Sequence, residues 1–108
     1  MEVICDRKGF WLKPHKDIKE KLMSMLIYVN PYDESESLGT DIYDSNLRVV
    51  KTIPYRDNYA YMFAPGDNTW HGLEMKEIAK ERRSILVNYV TFETGWKLPT
   101  FSRRKAAA

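Results

Sequence analysis

A single cysteine, Cys5, in 108 residues excludes an internal disulfide and points to a reducing compartment. No apolar run nears the roughly 20 residues that a membrane-spanning helix needs, and the mixed-charge N-terminus has no hydrophobic signal core. Together these absences make a soluble, cytoplasmic protein the expectation. Charge of one sign is scarce as well: the formal balance of +2 is too slight to argue for nucleic acid. No repeat, low-complexity tract or linker divides the chain, which reads as one domain over 1–108. Histidine is the last scarcity. With only His15 and His71, any imidazole site is confined to those two positions.

What is present is ordinary for a globular core: 44% apolar residues, too many for a disordered chain. Period-two alternation and β-branched runs predict strands over Gly9–Asp17, Thr40–Tyr43, Arg48–Ile53, Asn58–Ala64, Thr69–Glu74 and Arg82–Phe92. The apolar run Leu22–Val29 reads as a strand buried on both faces. Pro14 places the first strand at an edge or near its end. Polar Asn30–Gly39 and Asp44-Ser45-Asn46 read as loop and turn. Seven short strands of this kind indicate an all-β sandwich or barrel with few or no helices. Two stretches pull the other way. Asp17-Ile18-Lys19-Glu20 has the pattern of a helix start, with Asp17 as cap for Ile18–Ile27. Met75–Arg83 is rich in helix formers and fits a helical turn or a loop equally well. Cys5 reads as a small buried or tail residue, and residues 98–108, ending Arg103-Arg104-Lys105 and three alanines, as a frayed tail.

In an extended segment His15 and Asp17 project to one side. His71, in Asn68-Thr69-Trp70-His71-Gly72, supplies a third donor. Two imidazoles and one carboxylate form the facial triad used by non-haem Fe(II) oxygenases, which leaves adjacent positions open for cosubstrate and oxygen. In the last strand Arg82, Ser84, Leu86 and Asn88 share one face. An arginine pointing into a barrel needs a charged partner, and its planar fork suits a carboxylate. Solvated Arg82 and Arg83 with an incidental Ser84 is the plainer alternative.

The order Pro-His15-x-Asp17, Leu-Ile-Tyr28-Val-Asn30, Gly39-Thr-Asp-Ile-Tyr43, Trp-His71-Gly72 and Arg82-x-Ser84-Ile-Leu-Val-Asn88-Tyr89 resembles the Fe(II)/2-oxoglutarate-dependent dioxygenases, and within them the prolyl-4-hydroxylase-like branch. The likeness covers roughly residues 10–92. It implies a minimal double-stranded β-helix, or jelly roll, and Fe(II) held by His15, Asp17 and His71. It further implies 2-oxoglutarate anchored by Arg82 (or Arg83) and Ser84. Tyr28 would reach the same distal carboxylate, and Asn88 would sit near the metal. The activity implied is hydroxylation of a small-molecule or peptidyl substrate, coupled to decarboxylation of 2-oxoglutarate to succinate.

Members of that family usually carry N-terminal elements that back one sheet, whereas here the first ligand falls at residue 15. The resemblance therefore also predicts either a piece of a longer product or a homodimer that covers the bare face. Rival readings are a cupin-type metal barrel without 2-oxoglutarate, a non-catalytic binding module or inactive fragment, and an unrelated α+β fold in which Asp17 is only a cap. Tyr59, Tyr61 and Trp70 read either as core or as the lining of a substrate opening.

Overall fold

The computed structural model describes residues 1–17, 21–90 and 100–104, with Lys21 and the last five described by backbone alone. The described residues form nine strands: β1 (Glu2–Asp6), β2 (Leu12–His15), β3 (Lys21–Val29), β4 (Thr40–Tyr43), β5 (Val49–Ile53), β6 (Ala60–Phe63), β7 (His71–Leu73), β8 (Arg82–Val90) and β9 (Thr100–Arg104). The one helical element among the described residues is a single 3-10 turn, Glu36–Leu38, capped by the Ser35 side chain. No helix there is long and apolar enough to cross a membrane.

The strands make two sheets, ordered β6-β3-β8-β1-β9 and β2-β7-β4-β5. Among the described residues all pairings are antiparallel except β1 with β9. Four of them are nested around one turn: β4 with β5, β3 with β6, β2 with β7 and β1 with β8. The innermost turn is pinned by Asp44 Oδ1, which accepts from the backbone N–H groups of Asn46 and Arg48, while Leu47 takes φ 60°. Phe10, Tyr28, Leu38, Tyr55, Leu73 and Ile78 fill the core.

Register decides which side chains face inward. Cross-strand partners share a face, so Asp6 with Arg82, Ile4 and Tyr28 with Ser84, Leu26 with Leu86, and Ser24 with Asn88 form the inner rows of the larger sheet. The other face carries Val3, Ile27 and Ile85, then Met25 with Val87 and Met23 with Tyr89. All but the exposed Tyr89 are half-buried.

Several expectations need correction. Leu22–Val29 is a strand, but only Ser24 and Tyr28 in it are fully buried and Leu22 is exposed, so it is not covered on both faces. A helix over Ile18–Ile27 is overruled from Lys21 onward by β3; residues 18–20 lie outside the described set. Residues 74–81 form no helix. Their N–H groups at Ala79, Lys80 and Glu81 are instead taken by the Glu34 carboxylate, and Ile78 plugs the core. β1 was not foreseen, and Thr100–Arg104 is a strand rather than frayed. The expected strand end at Thr91-Phe92 lies outside the described residues.

Candidate metal centre

β2 and β7 are short neighbours in the smaller sheet, and their register sets His15 directly opposite His71. That match depends on a bulge. Leu12 pairs with Leu73 and His15 with His71, so three steps on β2 oppose two on β7. Regular pairing from Leu12 would put Pro14 opposite His71; the extra residue brings His15 there instead. The bulge also lets Leu12 and His15, an odd number of residues apart, line the same cavity. Proline suits the bulge, since its missing N–H costs no ladder bond there and β2 is an edge strand.

The two imidazoles are oriented alike. His15 Nδ1 lies 3.0 Å from Lys13 O, and His71 Nδ1 lies 2.8 Å from Thr69 O. Each Nδ1–H donates to the carbonyl two residues upstream, which fixes the tautomer and leaves the Nε2 lone pair facing the centre. Asp17 Oδ1 stands 4.0 Å from His15 Nε2 and 3.7 Å from His71 Nε2. The three donor atoms lie within 4.8 Å of one another. Donors on one face of an octahedral ion at about 2.1 Å stand about 3 Å apart. A contraction of under about 2 Å would therefore close the set on a cation. The rings are 4.4 Å apart, and Phe63 meets His71 edge-on at 5.0 Å, backing the site with hydrocarbon.

Ser24 was missed by sequence reasoning. Its hydroxyl lies 2.9 Å from Asp17 Oδ2 and 2.9 Å from Asn88 Oδ1. With one proton to give, it donates to the carboxylate; the Asn88 amide turned the other way would donate to Ser24 in return. The signal was a lone hydroxyl in the apolar run Leu22–Val29. Asn88 thus supports the site through Ser24 rather than by touching the centre.

Behind the triad lies a cavity of about 180 Å³ between the two sheets, lined by Ser24, Thr40, Tyr61, Arg82, Ser84 and apolar residues of both layers. That is roughly six waters' worth of space, the bulk of a small keto acid. Arg82 is buried within it, and the carboxylate its fork holds is the chain's own: Nη1 donates to Asp6 Oδ2 at 2.7 Å. Nε donates to Leu38 O, and Nη2 to Gly39 O at 3.4 Å. Three of five N–H bonds are thereby used, and the guanidinium also meets the Tyr28 hydroxyl. Sequence reasoning saw that a buried guanidinium needs an anion but not that Asp6 supplies it, because β1 itself was missed. Arg83 instead pairs with Glu81 at 2.6 Å and is half-exposed.

Ser84 is 1% exposed and lines the cavity, and its Oγ has no hydrogen-bond partner among the described residues. A buried hydroxyl left unpaired costs about 1–3 kcal/mol, so it awaits a ligand oxygen or a water. Tyr28 does not reach the cavity itself: its hydroxyl bonds Thr40 Oγ1 at 2.7 Å, and Thr40 forms the wall. Tyr61 donates to the same Thr40 oxygen at 2.9 Å. Burial pushes the Tyr61 phenol far up, reinforced by Tyr28, so it stays a donor. Burial likewise raises Tyr28, against the opposing pull of Arg82.

The donor set and the unpaired hydroxyl fit a divalent metal with a small oxygen-rich ligand. Two imidazoles and a carboxylate suit Fe(II), Mn(II), Co(II) or Zn(II) rather than a soft thiophilic ion. No family model matches the chain, and neither the curated proteins nor the solved structures contain a match to it.

Proposed function

We propose that this chain is an Fe(II)- and 2-oxoglutarate-dependent oxygenase built on a minimal jelly roll. The observation that carries the reading is the convergence of His15, Asp17 and His71, with both Nε2 lone pairs preset, on a cavity whose lining includes Arg82 and the unpaired Ser84. The nested pairing supports the fold half of the proposal. The nested pairs alternate between the two sheets, the pattern expected of an antiparallel ribbon doubled at the β4–β5 turn and coiled into a double-stranded β-helix.

In this reading the bound iron would supply the oxygen activation and redox chemistry. The chain's own residues do the rest. The carbonyls of Lys13 and Thr69 hold the imidazoles in their ligating tautomer. Ser24 steers Asp17. Ser84, with the Arg82 guanidinium beside it in the cavity wall, binds the distal carboxylate of 2-oxoglutarate, and the apolar lining excludes water.

One observation favours a second reading. Asp6 already neutralises Arg82, so a metal barrel that does without a dicarboxylate would need no change to this core. Anaerobic titration with Fe(II) and then 2-oxoglutarate separates the two. The oxygenase gives a visible charge-transfer band, and succinate once oxygen is admitted. Metal uptake with neither signal leaves the metal barrel, and no metal uptake overturns both.

A further inference from the structure

We propose that a groove on the His71 side of the molecule receives an uncharged hydrocarbon part of the substrate, an aliphatic or aryl group, and holds it beside the metal centre. The inference rests on the metal reading of the triad. The groove has a volume of about 350 Å³, and Tyr61, Phe63 and His71 line both it and the inner cavity. Whatever lies in the groove therefore lies against a metal ligand. Its other walls are Ile42 and Ile53 from the smaller sheet, Met62 from β6, and the approach to β7 at Asn68, Thr69 and Trp70.

The chemistry of these walls selects the occupant. In a chain of 30% charged residues, no Asp, Glu, Lys or Arg is among them. A charged substrate group entering here would lose its hydration with no charged wall residue to meet it. The polar complement is small as well. The Thr69 hydroxyl is engaged with Gly66, accepting from its N–H at 3.0 Å and donating to its carbonyl at 2.9 Å. That leaves the Asn68 amide as an orienting group. Trp70 is held in place from above by Lys16, whose ammonium stands 4.9 Å from the ring. Lys16 lies between the ligands His15 and Asp17, so this contact ties the groove wall to the triad loop. Met62 is 62% exposed on the edge strand β6, so the outer wall of the groove is open to an incoming group.

The experiment uses the full chain with labelled methionine methyls and tryptophan indoles. The probes are the N-acetyl methylamides of leucine, phenylalanine, lysine and glutamate, with glucose as a polar control. The leucine and phenylalanine probes are expected to shift the Met62 methyl and Trp70 indole resonances, and the charged probes and glucose to bind at least ten-fold more weakly. Met62→Asp should weaken the apolar probes at least ten-fold with the Co(II) absorption titration unchanged. With Co(II) bound, the protons of a seated apolar probe should broaden. Equal binding of charged probes, indifference to Met62→Asp, or unbroadened probe signals beside bound Co(II) would each overturn the assignment. Absence of a Co(II) spectrum counts against the metal reading instead, and the probe shifts in the metal-free chain still decide the groove.

Discussion

Replacing Ser84 by alanine separates a residue kept for the fold from one kept for a ligand. The hydroxyl is buried and has no partner among the described residues, but it faces a cavity large enough to hold water. Its burial penalty, about 1–3 kcal/mol for an unsatisfied group, is therefore partly relieved by solvent in the ligand-free chain. Alanine removes one oxygen and little packing, so Ser84→Ala should change unfolding free energy by less than about 1 kcal/mol in either direction. The same substitution should weaken 2-oxoglutarate by about 1.5 kcal/mol, roughly ten-fold, through loss of one hydrogen bond to a carboxylate. Tyr43 provides an internal control. Its hydroxyl is also buried without a partner among the described residues, and burial, helped by Glu74 and Asp41, pushes its phenol up to about 12. Tyr43 is not part of the cavity wall, so Tyr43→Phe should stabilise the chain by about 1 kcal/mol and leave ligand affinity alone. For a domain of this size that is a rise of about 4–8 °C in Tm. Urea titration and calorimetric ligand binding on both variants decide the matter. A loss of more than about 2 kcal/mol in Ser84→Ala, with ligand affinity intact, would show the hydroxyl to be structural and refute the reasoning.

Other substitutions test neighbouring links. Ser24→Ala should lower metal affinity about 10- to 100-fold while leaving the fold intact, as losing the partner of a ligating carboxylate does; competition with a chromophoric chelator measures it. Arg82→Ala should cost about 3–5 kcal/mol by stranding the buried Asp6, whereas Asp6→Leu with Arg82→Met should recover most of that loss in thermal melts. Gly72→Ala would set a Cβ 2.6 Å from Leu12 O and 3.0 Å from Lys13 O, so β2 must move from β7; about 1–3 kcal/mol of stability should go, and metal binding with it. Self-association through the half-buried outer face of the larger sheet should appear as a concentration-dependent sedimentation coefficient that Val87→Asp removes.

How far the site could be read from sequence follows from what each inference needed. The inward row Arg82, Ser84, Leu86 and Asn88 needed only period-two alternation in one uninterrupted strand, and β8 has that regularity. The pairing of His15 with Asp17 was reached through an alternation that the structure does not keep. β2 ends at His15, and a bulge precedes it. His15 and Asp17 lie close together in the structure without the regular extended geometry that suggested them. Asp6 was out of reach for a different reason. Glu2–Asp6 is short, begins next to the terminus and carries charge at both ends, so nothing local marks it as a buried central strand. Its identity comes from pairing with β8, a contact with residues at the far end of the chain.

The same nesting explains why the candidate metal ligands can be so far apart in sequence. A ribbon doubled at the β4–β5 turn brings together residues at matched distances from that turn, and β2 meets β7 by this rule. Sequence separation between His15 and His71 is therefore set by the loops within the ribbon and is no obstacle to contact. What the ribbon does not set is the phase, whether His15 or Pro14 faces His71. One extra residue at Lys13-Pro14 decides that. Removing it by deleting Lys13 should keep an all-β spectrum, since β2 is an edge strand, and should abolish metal binding by turning His15 off the cavity face. A deletion variant that still binds Co(II) with the affinity of the parent would show that the bulge does not aim the ligand.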